Sequence, residues 1–571
     1  MKLINYLLIV TLVVVCNVGL LVKSQGVQIW IDPIQGTDLI TCGSNATSAC
    51  NSLYTAFESF KNSSNVNTTS VMFHLADGTY YASKNNSNIE LLGYQNIVIQ
   101  PSPESTVGVV WDGESVSSLF TMIEATNETS YQTSVTMNKI TFTNSFSNTT
   151  GGGIFYISLQ GNQTSVTLTI NECTFTSNTL DNSTTIDNNY PSKGLGSVLF
   201  FESGDNVTAV STLSISKSVF TRSIARSAII FIDSEQMSTS ITDSEFTLNY
   251  GSSASCLFSY SAVNINQTIF QNNKVMADGG ALYLNSVMSP NSIYQSTFTD
   301  NQAGNGGAIL IRDAYLQLKE TTFNRNSAKV RGGSIHAIGD TCNLVFNDCT
   351  FNNSVASTGG AIAQESGGSF QFSTTEFLNN EAIQGGSLYL TLQVEGTFQS
   401  TSILFSNADQ GGAIYASDVK LTFLSGNQIS NNIAQNGGSV FCSASVLNIT
   451  GTLFQNNTDT LTSSSEEKET GGKIIPNDAN IYCSLTPSFT FCTVVGEDQY
   501  TGYCGEEDID QKKSGLSAGA IAGIVIGSIA GAAILAFGLG FVITSKVSIK
   551  SYFRALRDDM THEEINNDDD E

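Results

Sequence analysis

Charge is scarce in this chain. Only 13% of its 571 residues are Asp, Glu, Lys or Arg, and 50 acidic residues outnumber 24 basic ones for a formal net charge of −26. Nucleic-acid binding needs clustered Lys and Arg, and none is present, so nucleic acid is excluded as a partner. No CxxC occurs, and the histidines ahead of the C-terminal tail are only His74 and His336. A zinc site is therefore not expected. EF-hand spacing and Asp-rich nonapeptides are missing, which removes a dedicated calcium loop. No cofactor is expected. Helical heptads and a leucine-rich consensus are missing too, so neither a coiled coil nor a leucine-rich horseshoe fits.

What the chain has instead is a phrase repeated seven times: a double glycine, a small residue and an aliphatic. It begins at Gly279, Gly306, Gly332, Gly359, Gly385, Gly411 and Gly437, in steps of 27, 26, 27, 26, 26 and 26. A fixed period of this size marks a solenoid. The fourth position is always aliphatic (Leu282, Ile309, Ile335, Ile362, Leu388, Ile414, Val440), the sixth mostly small or apolar, and the fifth free. Period-two alternation makes each phrase a short strand, with the fourth and sixth positions inward and the fifth outward. Paired glycines suit a sharp corner that excludes a Cβ.

A second phrase, Phe-x-x-Asn, precedes most of the glycine pairs. Phe270…Asn273, Phe298…Asn301, Phe323…Asn326 and Phe377…Asn380 match in full. Ser354 follows Phe351, and Ile429 with Asn432 serves a later rung. Before Gly411 the phrase is read as Phe405 and Asn407. Phe142, Phe175, Phe220 and Phe246 continue the Phe position upstream. One Phe per rung stacks on the next to fill an interior, and one Asn per corner builds a ladder of side-chain amides. Twenty-six residues are too few for a propeller blade but suit three short strands and three turns. The fold class expected is all-β, a right-handed parallel β-helix of about 26 residues per coil. The paired GGAI and FxxN phrases resemble the repeat of the polymorphic outer-membrane proteins, β-helical bacterial surface adhesins. More broadly the chain is similar to the pectin-lyase-like superfamily. The outer-membrane barrel of the bacterial proteins has no counterpart here, so their export route does not follow.

Residues 1–24 read as a secretory signal peptide: Lys2, an apolar run from Tyr6 to Val22, then Lys23 and Ser24. Residues 25–70 read as an N-terminal cap, in which Leu53, Ala56, Phe57 and Phe60 share one helical face. Residues 71–458 are assigned to the β-helix, 459–514 to a cysteine-containing cap and stalk, 515–544 to a transmembrane helix and 545–571 to a cytoplasmic tail. Secretion makes the ten cysteines beyond Cys16 candidates for disulfides. Cys42 and Cys50 are close enough to staple a loop. Cys342 and Cys349 fall within one rung as a candidate hairpin closure. Cys483, Cys492 and Cys504 are candidates to bridge among themselves or with Cys442, while Cys173 and Cys256 sit at strand positions as buried thiols.

Thirteen Asn-x-Ser/Thr sequons lie between the two hydrophobic segments: Asn45, Asn62, Asn67, Asn85, Asn127, Asn148, Asn162, Asn182, Asn206, Asn266, Asn352, Asn448 and Asn456. In a secreted chain they are glycosylation acceptors. Leu516 to Thr544 carries no charge and exceeds the roughly 20 residues a bilayer demands. Lys546, Lys550, Arg554 and Arg557 follow, which places the C-terminus in the cytoplasm. Gly519, Gly523, Gly527 and Gly531 recur every four residues and offer a face for helix pairing, hence a homodimer. The placement expected is a type I single-pass protein of the plasma membrane or an endomembrane, with a lumenal or extracellular ectodomain.

Many β-helices act on acidic polysaccharides. Of the four elements that polygalacturonases share, only Asn457-Thr458-Asp459 has a match in the part expected to be extracellular. Arg222 and Arg226 stand close together without the context of a lyase, and no convergent carboxylate pair is visible. No catalytic and no metal-binding residue is assigned. The expected function is non-enzymatic adhesion or recognition of glycan or protein ligands. The alternatives are a polysaccharide-active lyase or hydrolase and a receptor signalling through its tail. The candidate ligand face is the outward fifth position: Tyr283, His336, Tyr389, Tyr415 and Phe441, with Leu310 and Ala363 between.

Overall fold

The computed structural model describes residues 26–62, 70–115, 118–124, 130–147, 152–180, 196–286, 290–460, 480–483, 492–496 and 502–504. They belong to one compact unit, Met1–Glu507. The segments expected to be a signal peptide and a cytoplasmic tail, most of the expected stalk, and the hydrophobic segment with Gly519, Gly523, Gly527 and Gly531 lie outside the described residues. Among the described residues no helix is long and apolar enough to cross a membrane.

Each regular coil contributes one strand to each of three sheets, parallel throughout except for the last pair, Cys492–Gly496 with Gly502–Cys504, which is antiparallel. In one turn of the chain, Tyr315–Lys319 lies in the first sheet, Thr322–Asn324 in the second and Ile335–Ile338 in the third. The next strand, Asn343–Asn347, returns to the first sheet and pairs with Tyr315–Lys319 in register. Among the described residues the sheets hold 17, 14 and 14 strands. This stacking fits a right-handed parallel β-helix, the hand that parallel crossovers adopt. It starts before the expected boundary, because Val27–Ile31 already pairs with Ser70–Leu75.

Alternation places every second side chain inside, and register turns those positions into columns. Ile309 pairs with Ile335, and Ile335 with Ile362. In the second sheet Phe142, Phe175, Phe220, Phe246, Phe270, Phe298, Phe323, Phe351 and Phe377 follow one another. From Phe220 to Phe377 successive rings stack 4.5 to 5.0 Å apart. That is one strand spacing, so the sheet itself sets the offset between rings.

Beside this column runs the amide ladder. Asn273 N–H donates to Asn301 Oδ1 at 3.1 Å, and Asn301 Nδ2 donates to the Phe270 carbonyl at 3.0 Å. The same pattern joins Asn301 to Asn326 and Asn432 to Asn457. Each of these asparagines is fully or nearly buried yet satisfied, which avoids the ~1–3 kcal/mol cost of an orphaned group. Where serine replaces asparagine the ladder is repaired sideways: Ser354 Oγ meets Ser334 Oγ at 2.8 Å, and Ser406 Oγ meets Ser387 Oγ at 2.8 Å.

The rung before Gly411 corrects the sequence reading. Ile403, not Phe405, follows Phe377 in the interior column, and Ser406 rather than Asn407 occupies the ladder. Phe405 takes φ +57° and is exposed. It sits at the turn position where the other rungs from Phe270 to Phe454 carry Asn, Asp or Arg.

The glycine corners explain the period. The first glycine of each pair adopts φ between +58° and +70°. The second has no room for a side chain: a Cβ on Gly386 would stand 2.1 Å from the Gly412 carbonyl one coil on. At the N-terminal end, helix Leu53–Asn62 buries Leu53, Ala56, Phe57 and Phe60. Phe57 packs on Phe73 at 4.6 Å and on Tyr94 at 5.5 Å, so the helix covers the open apolar end.

Gly386→Val should destabilise the fold by at least the ~1–3 kcal/mol of an overpacked core, since the clash is with backbone that cannot move alone. Tyr389→Ala, which removes a half-buried ring stacked on Tyr415 at 5.1 Å, should cost less. Thermal melts of the two variants check this, and equal losses contradict the assignment of the two positions.

Candidate functional site

The outward fifth position of the third sheet does form a continuous column. It runs Tyr156, Phe200, Phe231, Phe258, Tyr283, Leu310, His336, Ala363, Tyr389, Tyr415, Phe441, Tyr482. Sequence reasoning reached only its second half, because the upstream coils keep the glycine pair only at Gly152-Gly153, before Tyr156, and not at a regular period. The structure corrects the expectation that this column is an exposed ligand face. Leu310, His336, Ala363 and Phe441 are between 0% and 5% exposed, and Tyr283, Tyr389 and Tyr415 are half-buried. The physical reason is the stacking itself. Phe258 and Tyr283 lie 4.4 Å apart, Tyr389 and Tyr415 5.1 Å, and Tyr415 and Phe441 4.9 Å, so each ring spends its faces on its neighbours. Burial pushes the Tyr283 hydroxyl up to about 12. The upstream part of the column, from Tyr156 to Tyr283, forms a second, smaller hydrophobic cluster outside the third sheet.

Between the two aromatic runs stand His336 and Ala363. Glu365 pairs with Arg331 at 3.0 Å and approaches His336 Nε2 at 3.7 Å, too far for a hydrogen bond. Burial raises the Glu365 carboxyl, but His336 and Arg331 outweigh it and hold the group below its ordinary value.

A more polar, half-buried to exposed ladder is the outer face of the first sheet. Three outward columns run across its strands. The central one includes Met72, Val98, Thr136, Thr169, Ser214, Ser240, Asn264, Ser292, Gln317, Val345, Gln371, Thr397 and Thr422. Beside it lie Trp30, His74, Gln100, Asn138, Asn171, Ser216, Thr242, Asn266 and Tyr294. Side-chain bonds knit part of this second column: Asn138 Nδ2 to Gln100 Oε1 at 3.2 Å, and Ser216 Oγ to Asn171 Oδ1 at 2.8 Å. Trp30 stacks on His74 at 4.9 Å. Farther along, a groove of ≈570 Å³ opens on the same face between Tyr315, Val345, Gln371, Thr397 and Lys420. Another, of ≈430 Å³, has a floor of Ala328, Ala356, Ala382 and Ala408. Among the described residues no group of three or more His, Cys, Asp or Glu side chains could hold a metal ion.

Of the sequons, Asn45, Asn62, Asn85, Asn162, Asn206 and Asn456 are exposed, and Asn266, Asn352 and Asn448 are half-buried. Asn67, Asn127, Asn148 and Asn182 lie outside the described residues. Asn45 Oδ1 caps a short 3₁₀ turn by accepting from Thr47 and Ser48 N–H.

The cysteine expectations divide. Cys42 is bonded to Cys50, stapling the loop beside the cap. Cys492 bonds to Cys442 rather than within its own cluster, which ties the last described coil back onto the repeat array. Cys483 is also disulfide-bonded. Cys342 and Cys349 are not joined. They flank the extended strand Asn343–Asn347, whose five residues alone span roughly 16 Å, beyond a disulfide's reach. Both are buried with Cys173 and Cys256, and burial pushes the Cys349 thiol up to about 12.

A family model described as Chlamydia polymorphic membrane protein repeat matches residues 295–312. The matched segment holds Phe298, Asn301 and the pair Gly306-Gly307, which supply one interior ring, one ladder amide and one corner. No curated protein matches the chain.

Cys342 and Cys349 should resist iodoacetamide in the native protein and both alkylate after denaturation without reductant. Recovery of a peptide linked between them would contradict the structure. The carboxylate of Glu365 contributes stability that is complete above its ordinary pKa near 4.5 and is lost as pH falls through the lower folded value. Glu365→Gln should therefore melt lower than wild type at pH 7, with the gap closing as pH falls below the ordinary carboxylate value. A gap unchanged from pH 7 to pH 3 contradicts this.

Proposed function

We propose that the chain is a non-enzymatic recognition protein of a cell surface or endomembrane lumen, held by one membrane span, which presents its β-helix to glycan or protein ligands. The observation that carries the reading is the outer face of the first sheet. It runs along the coils as a half-buried to exposed ladder in which hydroxyl and amide side chains predominate, suited to many weak contacts rather than to one reacting centre. The polymorphic membrane protein repeat at residues 295–312 supports a surface role. The sequons and the charge-free segment Leu516–Thr544 support secretion and anchoring. The tail carries only a short acidic run, Asp568-Asp569-Asp570-Glu571, and no recognisable signalling module.

Cells made to display the full chain should gain contacts with other cells or with immobilised surface glycans that the parent cells lack. Replacing residues 545–571 with an unrelated sequence should leave those contacts intact. Display without any gain in contact overturns the reading, and loss of contact on tail replacement assigns the chain to signalling instead.

A further inference from the structure

One stretch of the first sheet differs from the rest of the molecule. Its first nine strands, from Val27–Ile31 to Asn291–Tyr294, contain no Asp, Glu, Lys or Arg. The next strand, Tyr315–Lys319, brings the first charge. Charged residues do lie nearby, but at the turns: Lys139 and Glu172 pair with each other at 3.5 Å, and Lys217 and Asp243 occupy equivalent corners. A neutral strip nine coils long is thus preserved within a chain of net charge −26.

The strip is built for hydroxyl chemistry. Four coils in succession present Ser134 with Thr136, Thr167 with Thr169, Thr212 with Ser214, and Ser238 with Ser240, in matched register. Among the described residues, no hydrogen bond within the protein occupies the hydroxyls of Thr136, Thr169, Ser214 or Ser240. A half-buried indole, Trp30, stands at one end, and Tyr294 and Tyr315 at the other. The strip is narrow, three side chains across. At a strand spacing of about 4.8 Å, nine coils extend about 40 Å along the axis.

From this geometry we infer that the strip holds a neutral polysaccharide chain laid along the coil axis. This rests on the recognition reading above and names its ligand. A linear polymer of uncharged sugars supplies donors and acceptors at regular intervals, as the hydroxyl columns do, and apolar ring faces for Trp30 and the two tyrosines. Polyuronates and sulfated glycans are disfavoured twice: no Lys or Arg on the strip meets their charge, and the net charge of the protein repels them. A protein partner steered by charge would find nothing to read.

The test is affinity electrophoresis of the detergent-solubilised full chain in native gels cast with laminarin, galactomannan, hydroxyethylcellulose or polygalacturonate. At least one neutral polymer should retard the protein, and polygalacturonate should not. Trp30→Ala should weaken retardation severalfold. The pair Thr169→Asp with Ser214→Asp, which puts charge at the centre of the strip, should weaken it at least tenfold. Thr169→Ser with Ser214→Thr keeps both hydroxyls and the neutrality of the strip and controls for folding, and Tyr389→Ala on the third sheet should have no effect. Retardation by polygalacturonate alone, or neutral binding that survives the double Asp variant, overturns the inference. So does self-association lost in the double Asp variant without any polymer retardation, which would make the strip a contact between copies. In each of these cases cells displaying the chain still gain contacts. Absence of those contacts is the separate failure of the recognition reading.

Discussion

The structure depends on how closely one coil approaches the next at the glycine corners. A Cβ on the second glycine of a pair would sit 1.8–2.2 Å from the carbonyl of the following coil wherever two pairs are consecutive. From Gly279 to Gly438 the corners therefore constrain the rotational register of each coil, while strand pairing sets its height. Once register is fixed, the rest follows from alternation. Inward positions become columns of Phe, Ile and Leu, and the Asn beside each Phe can reach the backbone of its neighbours. Nearest-neighbour stacking of this kind makes stability a sum over coils rather than the property of one centre.

The same register decides what the surface can offer. A column of rings on the third sheet stacks upon itself and leaves little for a ligand. A column of Thr, Ser and Asn on the first sheet has less to gain from its own kind, so many of its hydroxyls stay free. Which face recognises a partner is then a question of what each column does with its own neighbours. Outward direction alone does not decide it: Phe441 points outward and is 5% exposed.

The repeat region was legible in the sequence because its signals were redundant. Double glycines, an aliphatic three residues later and Phe-x-x-Asn upstream all gave one period, and the vertical pairing of Ile309, Ile335 and Ile362 follows from it. Legibility failed where one cue stood alone. Phe405 matched by residue type, but only the register shows that Ile403 fills the interior. Cys342 and Cys349 were close in sequence, and only the extended strand between them shows how far apart they lie. The candidate site was the least visible part. An aromatic at every coil reads as a sugar platform until the rings are seen to stack on each other. The hydroxyl strip is spread over strands 24 to 45 residues apart and has no local motif to announce it.

The central claim is that residues one coil apart are neighbours while residues close in sequence need not be. Gln371 and Thr397 are paired on the outer face of the first sheet, whereas Leu378, only seven residues from Gln371, faces outward from the second. A short bifunctional thiol reagent applied to the native full chain should join Gln371→Cys to Thr397→Cys and should not join Gln371→Cys to Leu378→Cys. Efficient linkage of the second pair, with none of the first, would contradict the stacked-coil account.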